Sequence, residues 1–182
     1  SKFQIRFFAT GGIGGVHLNA ENTNDVSADL YALSENSNFV ICSGAKSILD
    51  LSKTNELLET LGITRIGYQT NYMPGFWYEE TENKVDNKFD SIHEISSFLK
   101  LNENIENKKS ILIFNKVPLN KALNKNDVEK WINNAAIKAD RNNISGKELT
   151  PFLIKEINEE SKNETLNANT SLIINNANFA GK

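Results

Sequence analysis

The sequence predicts an α/β fold, a layered α/β/α arrangement around a largely parallel or mixed central sheet. Three observations carry that prediction. Phe39-Val40-Ile41-Cys42, Arg65-Ile66-Gly67-Tyr68 and Ile111-Leu112-Ile113-Phe114 are short runs bounded by polar residues, too short for buried helices and the right length for strands. Longer segments with apolar residues three and four apart carry helical periodicity. The two kinds of segment alternate in the first part of the chain, which favours crossover connections and a parallel sheet.

Taken in order, residues 4–9 read as a buried strand running into Thr10-Gly11-Gly12-Ile13-Gly14-Gly15. Ser27 is placed to cap a short helix carrying Leu30 and Leu33, because its hydroxyl can accept from amides that lack a partner in the first turn. After the strand at residues 39–42, Ser43-Gly44-Ala45-Lys46 leads towards a helix whose apolar face includes Leu57, Leu58 and Leu61, and Gly62 is placed to end it. Two further strands cover residues 65–68 and 111–114, and residues 79–107, charged and poorly patterned, read as a long loop or excursion. Asn126 with Glu129 resembles a capping box ahead of an inward stripe of Val128, Trp131, Ile132, Ala135 and Ala139. Thr150-Pro151 reads as a cap with proline at the first helical position, followed by Leu153, Ile154 and Ile157. A last helix carries Leu166, Ile173, Ala177 and Ala180 on one face, with Asn169 among them.

Composition narrows the possible roles. With 182 residues the chain suits one domain with a real core, and 39% hydrophobic with 24% charged residues is ordinary for a globular protein. A net charge of −3 offers no basic footprint for nucleic acid. No apolar run approaches the ~18 residues of a membrane span, and the first residues lack a signal-peptide layout. A single cysteine, Cys42, excludes an internal disulfide and fits a reducing compartment, so a cytoplasmic address is expected. Asparagine is abundant, 27 of 182 residues, concentrated in polar stretches such as residues 101–109 and 120–126. Apolar periodic segments flank these stretches, so the excess reflects codon bias and not a low-complexity chain.

Several residues invite chemistry. Four glycines in five positions directly after a strand suit either a backbone that approaches a phosphate closely or a tight turn with a packing role. His17 stands where a dinucleotide fingerprint starting at Gly12 would need glycine, and no P-loop Gly-Lys-Ser/Thr occurs. By itself His17 reads equally as a hydrogen-bonded structural residue. Lys46 lies four positions beyond an apolar strand, where open α/β sheets bind their ligands. A helix N-terminus and partial burial would both disfavour its ammonium form, as imine chemistry with a sugar aldehyde requires; an exposed surface lysine is the alternative. Asp25 and Asp29, four apart, would share a helix face, either as hard ligands for Mg²⁺ or Mn²⁺ or as acids complementing the helix dipole. Asn169, a polar amide on an apolar stripe, needs partners, either backbone groups or a ligand.

Together these stretches resemble the pseudouridine-5′-phosphate glycosidase family, also called indigoidine synthase A-like proteins. The matching words are Phe8-Ala9-Thr10-Gly11-Gly12-Ile13-Gly14-Gly15-Val16-His17, Asp25-Val26-Ser27-Ala28-Asp29-Leu30 and Cys42-Ser43-Gly44-Ala45-Lys46-Ser47-Ile48-Leu49-Asp50. Further on come Leu58-Glu59-Thr60, Gly67-Tyr68 with Thr70, Gly146-Lys147-Glu148-Leu149-Thr150-Pro151-Phe152-Leu153, Ala168-Asn169 and Asn175-Asn176-Ala177. The resemblance spans essentially the whole chain. It implies reversible cleavage of the carbon–carbon glycosidic bond of pseudouridine 5′-phosphate to uracil and ribose 5-phosphate. The ribose ring opens and its anomeric carbon joins an enzyme lysine as an imine. The resemblance assigns that lysine to Lys46, a Mn²⁺-associated aspartate to Asp25, and a substrate-contacting run to Ser27, Ala28 and Asp29. It groups Thr10, His17 and Asn169 around the sugar phosphate or base, and it implies a homotrimer.

Two departures from the family pattern stand out. Leu18 and Asn19 follow the histidine where many relatives carry arginine and glycine, which removes a positive charge near the site entrance. The family enzyme is also longer at its N-terminus, where its proton-donor glutamate and a phosphate-binding lysine lie. The expectation is therefore that residues 1–182 are the C-terminal part of one family domain and that this part alone is inactive. The alternative is a non-catalytic relative that holds a phosphosugar without turnover.

Overall fold

The computed structural model describes residues 5–103 and 109–182. Five strands form one parallel sheet: β1 (Phe7–Ala9), β2 (Phe39–Cys42), β3 (Thr64–Tyr68), β4 (Asn87–Phe89) and β5 (Ile111–Phe114), in the spatial order β1-β2-β5-β3-β4. Seven helices accompany them: α1 (Ala20–Thr23), α2 (Ala28–Glu35), α3 (Leu51–Thr60), α4 (Ile92–Glu103), α5 (Lys125–Arg141), α6 (Leu149–Glu160) and α7 (Glu164–Ala180). None of the helices described is long and apolar enough to cross a membrane.

The central strands explain their own position. All four residues of β2 and of β5 are buried, as a strand covered on both faces requires, and their side chains divide between two cores. Val40, Cys42, Leu112 and Phe114 join the larger core, which α2, α3, α5, α6 and α7 complete through Leu30, Leu58, Val128, Ile157 and Leu172. Phe39, Ile41, Ile66, Ile111 and Ile113 face the smaller one, covered by Ile95, Phe98 and Leu99 of α4 and by Phe179 and Ala180 at the end of α7. Period-two alternation of side chains thus gives a layer of helices on each face. Arg65, on β3, is a buried cation with a full set of partners. Its guanidinium meets Asp86 at 2.6 Å, Asn55 Oδ1 at 2.9 Å and Glu59 at 3.3 Å, which offsets the cost of taking the charge out of water.

Several expectations are corrected. The first strand is not buried; β1 lies at the sheet edge, with Phe7 46% and Phe8 54% exposed, and position 4 falls outside the described residues. Residues 79–103 are not a loop throughout, since they contain β4 and the 12-residue α4; residues 104–107 of that stretch lie outside the described residues. The cap of α5 is Asn124, whose Oδ1 accepts from the amides of Asn126 and Asp127, two residues before the expected capping box. Before α6 a 3₁₀ turn at Gly146–Glu148 starts the helix early, so Pro151 is its third residue, still in the first turn where amides have no helical acceptor. The buried stripe of α7 is Thr165, Ala168, Leu172 and Asn176; Leu166, Ile173 and Ala177 lie on exposed faces.

Candidate active site

The site forms where β1 and β2 end. Beyond the strands the chain keeps a parallel partnership: Ser43 N–H donates to Gly11 O, Ile13 N–H to Gly44 O and Lys46 N–H to Ile13 O, at 2.8–3.1 Å. The glycine turn and the lysine loop therefore run side by side, and Lys46 comes to rest beside Gly12 and Ile13.

The glycines matter because of what crowds them. A Cβ on Gly11 would press on Leu172 and Ile173 of α7, one on Gly12 on the Phe76 ring, one on Gly14 on Ser27 and Asp29, and one on Gly15 on Thr54 of α3. Four separate elements pack against one turn. Close approach, and not left-handed backbone, is the reason for these glycines. The packing reading of the turn therefore holds, while Gly11 and Gly12 also line a cavity.

Ser27 caps α2, accepting from Asp29 N–H, and its own N–H donates to Gly15 O at 2.9 Å. Asp29 accepts the Gly14 amide at 2.7 Å, so Ser27, Ala28 and Asp29 are bound to the glycine turn as a unit. Asp25 precedes α2 and does not share a helix face with Asp29. It pairs instead with His17, whose N–H donates to Asp25 O at 3.0 Å and whose Nδ1 lies 3.7 Å from Asp25 Oδ2.

Two recesses meet at Lys46. One, of about 230 Å³, is lined by Thr10, Lys46, Phe76, Trp77, Asn158 and Asn169 among others. The other, of about 560 Å³, is lined by Thr10, Gly12, Lys46, Asp29, Phe8 and Asn38 among others. Thr10, Gly12 and Lys46 belong to both. His17, Asp25, Ser27 and Ala28 line neither. Lys46 is half-buried and begins no helix, because α3 starts at Leu51 behind its cap, Asp50. Lys53, Lys116, Lys125 and Lys138 each pair with a carboxylate, whereas the Lys46 amine has no such partner among the described residues.

Sequence reasoning missed Phe76, Trp77 and Asn158. The first two follow Pro74-Gly75, a turn signal that marks the segment as built and not merely connecting. Phe76 is buried at φ 66°, held there by its N–H to Ser43 O at 3.0 Å. Backbone of that kind is rare for a bulky residue and tends to occur at ligand sites. Trp77 Nε1 is a buried donor with no partner among the described residues. Burial pushes the neighbouring Cys42 thiol up to about 12, against the opposing hydrogen bond from the Gly44 amide, so this thiol is not a competing nucleophile. Glu80 is held below the usual carboxylate range: burial opposes this, but Thr70 and Lys116 bind its oxygen and prevail.

No group of three or more His, Cys, Asp or Glu side chains able to hold a metal occurs among the described residues. The donor set at Asp25 is one partly exposed carboxylate with an imidazole beside it. That fits a hard, largely hydrated divalent ion, which needs only one or two protein carboxylates, and does not fit a closed cage.

A half-buried amine beyond the carboxyl ends of a parallel sheet, between a glycine turn and a late helix, marks the candidate site of this α/β protein. The chain belongs to the indigoidine synthase A like protein family, whose model matches residues 1–182. It is 43% identical over 178 residues to the pseudouridine-5′-phosphate glycosidase of Staphylococcus aureus (strain MW2), covering 98% of this chain and 58% of that protein. It is 44% identical to the protein of the same name from Kosmotoga olearia, covering 98% of this chain and 61% of the relative. The chain thus spans about three fifths of the length of these relatives. Among solved structures, the prealnumycin C-glycosynthase AlnA in complex with ribulose 5-phosphate superposes with a TM-score of 0.92 at 31% identity, over 99% of this chain and 59% of that one. An indigoidine synthase A-like protein from Thermotoga maritima gives 0.88 at 32%, with the same coverage.

Proposed function

We propose that this chain carries the covalent lysine of an enzyme that reversibly cleaves pseudouridine 5′-phosphate to uracil and ribose 5-phosphate. The carrying observation is Lys46: an amine without an acidic partner among the described residues, at the meeting point of two recesses. The names of the relatives and the ribulose 5-phosphate in the AlnA complex support a phosphosugar as ligand.

A carbon–carbon glycosidic bond has no heteroatom leaving group, so protonating a glycosidic oxygen does not help. In the synthetic direction the opened ribose 5-phosphate presents its C1 aldehyde to Lys46, the amine adds, and water leaves as the imine forms. Uracil C5 then attacks that carbon, the electron pair of the C=N bond moves to the lysine nitrogen, and C5 gives up its proton. Closure of the ribose ring expels the lysine. Cleavage is the reverse, with C5 taking the electron pair of the breaking bond and a proton. Thr10 and Asn169, which line the recess with Lys46, are the groups we assign to positioning the sugar phosphate or base, and the Ser27-Ala28-Asp29 unit braces the turn beneath them. His17 holds the Asp25 backbone, its own main-chain N–H donating to Asp25 O at 3.0 Å, with its Nδ1 3.7 Å from the carboxylate. We assign Asp25 as the residue that would hold Mn²⁺, a hard ion for which one or two protein carboxylates suffice. When bound, such an ion would supply positive charge on the Asp25 side of the glycine turn.

Incubating the full-length protein with ribose 5-phosphate and borohydride reduces the imine to a stable adduct. The expected outcome is a label on the Lys46 peptide by mass spectrometry, lost in Lys46→Ala, whose melting temperature stays near that of the unsubstituted protein because a half-buried site lysine adds little packing. A label on another lysine, or none, would sink the reading.

A further inference from the structure

We infer that the Asn175-Asn176 pair is a positioning clamp for the site, locking α7 onto the ends of β1, β2 and β5 and so setting the distance between the Asn169 face and Lys46. The inference rests on the assignment of Lys46 as the covalent amine. Asn176 is fully buried, and every polar atom of its side chain is used. Its amide NH₂ donates to Thr10 O at 2.8 Å and to Ser43 Oγ at 3.0 Å, and its Oδ1 accepts from Asn115 Nδ2 at 3.0 Å. Ser43 Oγ closes the ring by donating to Asn115 O at 2.8 Å. The neighbouring Asn175 donates to Lys116 O at 3.1 Å.

Each partner begins a different loop. Thr10 opens the glycine turn, Ser43 opens the loop that ends in Lys46, and Asn115 and Lys116 follow β5 directly. One turn of α7 therefore ties three strand ends together. Asn169 lies seven residues earlier on the same helix, roughly 10 Å along its axis and on nearly the same face. Leucine would fill this space with less desolvation cost. A fully satisfied buried amide instead specifies one arrangement of the groups it binds, because any shift leaves a polar atom unpaired. Thr10 and Asn169 both line the recess at Lys46, so a slip of α7 would change their spacing directly.

The test compares Asn176→Asp, which keeps the size but removes the donors, and Asn115→Ala, which removes the donor to Asn176, with Ala177→Gly, an exposed change on the same helix. All are made in the full-length protein. For each, kcat and KM with pseudouridine 5′-phosphate, the rate of borohydride-trapped labelling of Lys46, and the melting temperature are measured. The clamp variants are expected to lose about 100-fold in kcat and in labelling rate, as for a misplacement near 1 Å, with KM little changed. Ala177→Gly is expected to lower the melting temperature while keeping kcat. If Asn176→Asp does not fold, Asn115→Ala and Ser43→Ala decide. Losses that merely follow melting temperature, as in Ala177→Gly, or clamp variants that label at the original rate, would overturn the inference. Absence of labelling in the unsubstituted protein is a separate outcome: it removes the Lys46 assignment and the clamp with it.

Discussion

Two residues near Lys46 hold backbone that L side chains rarely adopt. Phe76 has φ 66°, and Gly44, in the lysine loop, has φ 88° with its α-carbon facing Pro74 O. The two are coupled, because the Phe76 amide donates to Ser43 O just before Gly44. Substituting Gly44→Ala would impose left-handed strain of about 1–2 kcal/mol and drive a methyl group into the Pro74 carbonyl. The expected outcome is a lower urea midpoint, with more than about 2 kcal/mol lost in total; an unchanged midpoint would mean the loop is not held this way. Asparagine plays a wider residue-scale part. Among the described residues, four of the seven non-glycine positive-φ positions are Asn19, Asn24, Asn143 and Asn163, and another asparagine caps α5. At these positive-φ positions asparagine is the best non-glycine choice.

At the scale of elements, α4 is the instructive case. Ser91 Oγ accepts from Glu94 N–H at 3.2 Å, and Glu94 Oε2 accepts from Ser91 N–H at 2.9 Å, a reciprocal capping box. Ile95, Phe98 and Leu99 then bury one face against the sheet. Removing the cap with Ser91→Ala should cost about 1 kcal/mol in denaturant unfolding. The double variant with Glu94→Ala should cost less than the sum of the two single changes, since the pair acts together. Additive effects would show the box contributes nothing as a unit. Helix α7 teaches a different lesson. Leu166 and Ile173 are exposed on their outer side and line the recess beside Lys46, while Thr165, Ala168, Leu172 and Asn176 form the buried stripe. The absent side chain of Gly11 lets Leu172 and Ile173 sit close to the glycine turn, where a Cβ would lie 3.0 Å from each.

For the whole molecule, the parallel sheet fixes where chemistry occurs, since the loops after β1, β2 and β5 all leave from one end. The same buried packing sets the alkaline limit of stability. Burial, reinforced by the nearby charges of Glu129 and Glu82, pushes the Tyr78 hydroxyl up to about 12. An unfolded tyrosine loses its proton near pH 10. Between those values the unfolded state binds fewer protons than the folded one, so the Tyr78 contribution is complete below about pH 10 and is lost as pH rises towards 12. Cys42 acts in the same direction. Thermal melts of the unsubstituted protein should therefore fall across that window, and Tyr78→Phe should fall less steeply; superimposable alkaline limbs would contradict the burial of this hydroxyl.

The strands β2, β3 and β5, the cap at Ser27, the stop at Gly62 and the stripe of α5 were legible in the sequence, because each depends on residues close together in the chain and on a periodicity that burial imposes. The family words also named Lys46, Thr10 and Asn169, which line one recess in the structure. The Ser91 and Glu94 pair was present as well, but it was hidden in a charged stretch. What only the tertiary structure decided is pairwise and long-range: β1 at an edge, β5 inserted between β2 and β3, the rotation of α7, and the pairing of His17 with Asp25. Local patterns specify which face of an element is apolar. They do not specify which neighbour, dozens of residues away, will cover it, and that choice alone brings Asn176 to Thr10 across 166 positions.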